Sequence, residues 1–307
     1  MRHLAVVGPT ASGKTALAVA VARAVAGVEL VSVDAMAVYR GMDVGTAKPS
    51  AAERDGVVWH LLDLVEPSEE FTVRRFQAAA YDALGGIERR GGLAVLVGGT
   101  GLYHSSVIDR LEIPGRYPDQ AAALAAERAG GTGLEELYGR LLRLDPIGAS
   151  RIEPGNERRI LRALEVTLGS GRPFSSFGPG LSTYPPAHFS LVGLSVPRPE
   201  LGRRIDARLE EQLAHGFLEE VRGLLGRPGG LSRTASQALG YRELAAHLRG
   251  ELTLPEARTE IARRTRAFAR RQEAWFRRDP RVEWLDATAD SISSEVIDRA
   301  RALGAAR

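Results

Sequence analysis

Short unbroken apolar runs alternate along this chain with longer stretches in which apolar residues recur every three or four places. The runs fit strands buried on both faces, and the longer stretches fit helices laid against them. The pattern therefore predicts an α/β fold with a parallel sheet flanked by helices. HLAVVG (3–8), ELVSVDA (29–35), LAVLVGG (93–99), HFSLVGLSV (188–196) and VEWLD (282–286) read as strands, with HLLDLV (60–65) a candidate third in sequence. Helices are expected over 14–26, over 72–90 with Thr72 as cap, and as one long element from about Arg198 to Leu225 with Pro199 near its start.

Residues 112–185 break the alternation. No buried strand stands out there; helical patterns run through ERAGGTGLEELYGRLLRLDP and NERRILRALEVTLGSGRPF, and Gly, Pro and Ser dominate 169–186. The expected organisation is a core of 1–111 and 186–307 interrupted by a mostly helical insertion domain, 112–185.

Composition narrows the class. A chain of 307 residues with 44% hydrophobic and 26% charged residues is expected to be soluble and globular. The most apolar stretch, ALAVAVARAVAGVELV, is interrupted by Arg23 and Glu29, so no membrane span is predicted. The first strand follows Met1 and Arg2 directly, which leaves no room for a signal peptide. The sequence has no cysteine, which excludes disulfides, thiolate metal sites and a cysteine nucleophile. The expected location is the cytoplasm. Of 41 basic residues only Lys14 and Lys48 are lysine, so a position that stays lysine in this arginine-rich chain is a candidate for a specific role.

Lys14 belongs to Gly8-Pro9-Thr10-Ala11-Ser12-Gly13-Lys14-Thr15, a full match to GxxxxGK[ST] set between a strand and a helix. Such a loop turns backbone N–H groups inward around phosphates, the helix start adds a positive field, the lysine reaches the terminal phosphates, and the hydroxyl of Thr15 suits Mg²⁺. The fold expected is thus P-loop NTPase-like. The motif identifies a phosphate chain but not its owner. ATPases and GTPases add an acid after a later strand to hold the metal, and LAVLVGGT ends without one. Asp63 is one substitute. Asp34, closing the second strand beside the loop, is the acid best placed for a substrate, the plainer reading being a cap or turn residue.

GPTASGKT, SVDAMAVYRGMDVGTAKP (32–49) and LVGGTGLY (96–103), followed in order by RRILRALEV (158–166), RRIDARLEEQL (203–213), ALGYRE (238–243) and RRQEAWFRR (270–278), resemble the tRNA dimethylallyltransferase family over nearly the whole chain. The resemblance implies transfer of a dimethylallyl group from dimethylallyl diphosphate to the N6 amine of the adenine 3′ of the anticodon. No ATP is consumed. It implies that Lys14 and Thr15 hold the diphosphate and Mg²⁺, that Asp34 takes the amine proton, that Thr100 contacts the base or its neighbour, and that Arg208 neutralises the leaving diphosphate. Lys48 is left as either structural or near the substrate. The family also implies tRNA contacts from Asp34, Ala35, Met36, Ala37 and Thr100, from Arg158, Arg159 and Arg162 in the insertion, and from Gln237, Gly240, Tyr241 and Arg242. One departure stands out: in PGRYPDQAAAL (114–124) Arg116 is present, but the arginine the family carries near Ala121 or Ala122 is absent.

The chemistry agrees with these roles. An exocyclic amine needs a base for its proton, a departing diphosphate needs cations, and a stacked base must be flipped to react. EARTEIARRTRAFARRQEAWFRR (256–278) supplies an RNA surface: at helical spacing Arg263, Arg264, Arg266, Arg270, Arg271, Arg277 and Arg278 share one side with no acid among them, opposite Ile261, Phe268, Trp275 and Phe276. The plainer reading is a solvated basic face. His60, His104, His188, His215 and His247 show no metal spacing. A small-molecule or nucleotide kinase would explain the phosphate loop and an insertion lid but neither the basic helix nor GMDVGTAKP, and a non-catalytic RNA-binding protein of P-loop ancestry would tolerate loss of Asp34 and Thr100, both of which are present. A monomer is expected.

Overall fold

A computed structural model describes residues 3–178 and 180–305. In chain order it runs β1 (His3–Val7), α1 (Lys14–Ala24), β2 (Val28–Ser32), α2 (Ala51–Arg54), β3 (Trp59–His60), α3 (Val73–Arg89), β4 (Leu93–Val97) and α4 (Gly101–Ile108). Then follow α5 (Pro118–Ala129), α6 (Leu134–Leu144), α7 (Pro146–Ser150) and α8 (Glu157–Ser170). The chain ends with β5 (Phe189–Ser195), α9 (Arg198–Ala214), α10 (Phe217–Leu225), α11 (Tyr241–Leu248), α12 (Leu254–Phe276), β6 (Val282–Asp286) and α13 (Ile292–Ala305).

Two compact units emerge, one of 1–109 and 184–307, the other of 110–183. The first holds a six-stranded sheet in the order β3-β2-β4-β1-β5-β6, with every pairing parallel. β1, β2 and β4 are buried at every residue, which is why they read as continuous apolar runs rather than alternations. Leu4, Val6, Leu30, Val95 and Val97 face a core shared with Leu17, Val21 and Val296 of α1 and α13. Ala5, Val7, Val31 and Leu96 face the opposite core with Phe76, Leu84, Tyr103, Leu244, Ile261 and Phe276 of α3, α4, α11 and α12. The second unit packs around Leu124, Leu137, Leu141, Ile160 and Leu164.

Several expectations need correction. The third strand is only Trp59–His60, because Leu61 and Asp63 take positive φ and turn the chain out of the sheet. β2 stops at Ser32, so Asp34 lies beyond the strand, and β4 separates β2 from β1. The long helix over 198–225 is two helices, broken at Gly216, whose φ of 90° no helix accommodates. Thr72 does cap α3, its hydroxyl accepting the Arg75 N–H.

Candidate active site

The carboxyl ends of β2, β4 and β1 lie side by side, and three loops leave the sheet there. This edge is where open parallel sheets bind ligands. The β1 loop is the phosphate loop. Gly8 (φ 143°) and Gly13 (φ 89°) adopt conformations that side chains resist, and a Cβ on Gly8 would stand 2.9 Å from the Leu194 carbonyl oxygen. α1 starts directly after Gly13, aiming its free N–H groups at the loop. Lys14 is buried, and its Nζ donates to Pro9 O at 2.5 Å and lies 3.4 Å from Ser12 Oγ. Burial, then the Arg208 charge, push its pKa down to about 7, with Asp34 pulling the other way. Thr15 follows, half-buried.

Asp34 heads the β2 loop. Its Oδ1 accepts from Met36 N (2.8 Å) and Ala37 N (3.3 Å), so the carboxylate shapes the 34–37 turn through one oxygen and leaves Oδ2 free among the described residues. The turn reading and the catalytic reading are therefore compatible. From the β4 loop, Thr100 Oγ1 accepts the Ala35 N–H at 3.1 Å, and its own hydroxyl proton remains available. Gly98 has no room for a Cβ, which would lie 2.1 Å from Val33 O, so the β2 and β4 loops touch backbone to backbone. Arg208 reaches in from α9 and lies 3.4 Å from Thr10 Oγ1; desolvation lowers its pKa while Asp34 raises it. Lys14, Asp34, Arg208, Thr10 and Thr100 thus meet at one sheet edge. His104 sits beneath, buried, with Nε2 near Gly98 O; burial drives it down to about 3, so the imidazole is neutral and packs edge-on against Phe276.

Lys48 is buried. Its Nζ donates to Tyr39 O, Asp43 Oδ1 and Asp63 Oδ1 at 2.5, 2.6 and 2.6 Å, pinning the 36–48 segment. Asp63 is held by Lys48 and Arg54, which takes it away from the metal role considered for it. GMDVGTAKP is a docking motif: Asp43, Val44 and Gly45 N–H groups donate to the Glu220 carboxylate, Gln212 donates to Val44 O and Gly45 O, and a Cβ on Gly45 would lie 2.1 Å from Phe217.

The expected RNA residues separate. Gln237 and Arg242 are exposed, whereas Gly240 and Tyr241 are buried; the Tyr241 hydroxyl donates to Glu220 Oε1 at 2.6 Å, and Gly240 lies against Phe217. Those two shape the core rather than a surface. Arg158 and Arg159 are exposed on α8. Arg162 is tied down within its unit, donating to Glu165 and to the carbonyls of Pro114 and Gly115. Ala121 and Ala122 are exposed on α5. On α12 the row is not free of acids: Arg263 pairs with Glu260, Arg264 with Glu243, Arg266 with Asp206 and Arg277 with Glu273. Arg271 lies over the Phe268 ring and Arg278 over the Trp275 ring, and Arg270 is exposed.

Sequence reasoning missed Gln272. Its Oε1 accepts Thr10 N–H at 2.8 Å and its Nε2 donates to Gly99 O at 3.0 Å. The signal was present: helical spacing puts this polar residue, with Thr265, on the apolar side of α12 among Phe268, Trp275 and Phe276.

Residues 37–279 match the family model of IPP transferase, and residues 1–63 match that of isopentenyl transferase. The chain belongs to the IPP transferase family. Among this family's members, the chain is similar to a tRNA dimethylallyltransferase of Kineococcus radiotolerans, 48% identical over 97% of this chain and 94% of that one. Another, from Desulforudis audaxviator, is 46% identical over 92% and 90%. A solved tRNA isopentenylpyrophosphate transferase of Bacillus halodurans superposes with a TM-score of 0.71 at 36% identity, covering 99% of this chain and 97% of the other.

Proposed function

We propose that this protein transfers a dimethylallyl group from dimethylallyl diphosphate to the N6 amine of the adenine 3′ of the anticodon in tRNA. The allylic C–O bond breaks, the N–C bond forms, the amine proton passes to Asp34, and diphosphate leaves. The observation that carries this reading is one free carboxylate oxygen, Asp34 Oδ2, within electrostatic reach of both Lys14 and Arg208 at the mouth of a phosphate loop. A base for the nucleophile and cations for the leaving group are what this displacement requires. The Thr100 hydroxyl orients the flipped base beside Asp34. The relatives' names and the family match support the same activity.

A divalent ion fits as a companion of the diphosphate. Among the described residues no group of three or more His, Asp or Glu could hold a metal, so Mg²⁺ would take most of its ligands from phosphate oxygens and water. Thr15 is the residue that would hold it, and it would supply charge neutralisation at the diphosphate. A kinase reading is weaker: Asp63 is neutralised by Lys48, and β4 is followed by Gly98-Gly99-Thr100, without an acid. No helix of the described residues is long and apolar enough to cross a membrane.

Thermal protection separates the two readings. Dimethylallyl diphosphate at 100 times its dissociation constant should add about 2.7 kcal/mol to stability. ATP at equal concentration should protect much less, and pyrophosphate should protect partially. Stronger protection by ATP, with transfer of its γ-phosphate to a small molecule, would replace this reading by the kinase one.

The arginine face has its own test. Replacing Arg263, Arg266 and Arg270 by glutamine should weaken tRNA binding and lower the slope of log K against log salt by about 0.7–0.9 for each phosphate no longer neutralised. Arg270 alone should account for the largest share, because Arg263 and Arg266 must first give up Glu260 and Asp206. An unchanged slope in the triple variant returns the helix to a solvated face.

A further inference from the structure

We propose that Gln272 is a positioning residue for the reaction, fixing the phosphate loop against the loop that carries Thr100. The inference rests on the prenyl-transfer reading above. Gln272 is buried in α12 and spends its acceptor on the phosphate loop, at Thr10 N, and its donor on the β4 loop, at Gly99 O. Each partner leads to a reacting group. Thr10 Oγ1 lies 3.4 Å from Arg208, and Gly99 precedes Thr100, whose hydroxyl holds the Ala35 N–H next to Asp34. One amide therefore sets the spacing between the leaving-group cations and the base. Two glycines of GGTG serve this contact: a Cβ on Gly99 would lie 2.0 Å from Gln272 Nε2, and one on Gly101 would lie 2.3 Å from Trp275 Cδ1. α12 approaches the β4 loop as closely as a bare backbone permits. Preorganisation of this kind counts because a misplacement of about 1 Å can cost about 10²-fold in rate.

Gln272→Met tests the idea, since methionine keeps the length and apolar packing and deletes both hydrogen bonds. Gln272→Glu is a second variant: it keeps an acceptor for Thr10 N–H and sets oxygen against oxygen at Gly99. With the full chain and unmodified tRNA, kcat should fall about 10–100-fold in both, while the KM for tRNA moves less than about threefold. A packing role predicts a lower melting temperature with the kcat of the folded protein unchanged. A kcat within about twofold of wild type in either folded variant, or a loss confined to the KM for tRNA, overturns the proposal. Pyrophosphate protection gives a reading independent of prenyl transfer: it should weaken in Gln272→Met relative to wild type, and equal protection contradicts the positioning of the loop. Absence of transfer by the wild type is a failure of the proposed function alone.

Discussion

Asp34→Asn is expected to bind tRNA as the wild type does and to turn over about 10²–10⁴-fold more slowly, the usual scale for loss of a general base. The substitution is clean because of how the carboxylate is used. Oδ1 holds the 34–37 turn through Met36 and Ala37 N–H groups, and an asparagine carbonyl can accept both bonds. Oδ2, the oxygen left for the adenine amine, becomes an NH₂ group that cannot take a proton. Asp34→Ala should cost more, losing the turn as well as the base, and should also weaken tRNA binding. Near-normal turnover of Asp34→Asn would remove Asp34 from the role of base.

Arg208→Gln should lower kcat by about 10²–10³-fold, the cost of removing one donor aimed at developing negative charge. It should also move a titration. Burial, and after it the Arg208 charge, lower the Lys14 pKa to about 7 in the free protein. On the proposed function a bound diphosphate would hold Lys14 protonated, so binding above pH 7 would require proton uptake. The Lys14 contribution to pyrophosphate affinity is then full below about 7 and falls as the pH rises beyond it. Removing the Arg208 charge raises the Lys14 pKa and shifts that fall to higher pH. Pyrophosphate's own ionisation acts in the opposite direction but is common to both proteins, and Lys14→Ala reports it alone. Binding titrations over pH 6–9 check this; identical midpoints in wild type and Arg208→Gln would show that the two cations do not share a site.

Much of the core was legible because local rules and tertiary demands agree there. β1, β4 and β5 are buried strands and read as such, and the phosphate loop has its glycines where positive φ is needed. The misreadings have physical causes. HLLDLV looked like a strand because it is rich in apolar residues, of which Leu61 and Val65 do enter the core, yet Asp63 leaves the sheet to meet Lys48. The break at Gly216 was hidden by helical periodicity on both sides. Two of the α12 arginines, Arg264 and Arg266, read as free because their partners Glu243 and Asp206 lie far away in sequence, whereas Glu260 and Glu273, the partners of Arg263 and Arg277, stand one turn away in the same stretch and were legible. Tyr241 was expected at the RNA only from the family resemblance; its hydroxyl instead meets Glu220, which also holds the 43–45 loop, and no local pattern announces that contact. Among the site residues, Asp34 and Lys14 were visible from strand ends and motif, whereas Gln272 acts through two backbone groups and leaves only a polar interruption on an apolar face.

The central claim is that a phosphate loop here serves prenyl transfer to RNA. The most direct measurement incubates the protein with unmodified tRNA and isotopically labelled dimethylallyl diphosphate in the presence of Mg²⁺ and without ATP, then digests the RNA and analyses its nucleosides. The account predicts labelled N6-dimethylallyladenosine from the adenine 3′ of the anticodon, with one diphosphate released per group transferred. Unlabelled RNA under conditions where the protein binds both substrates would contradict it.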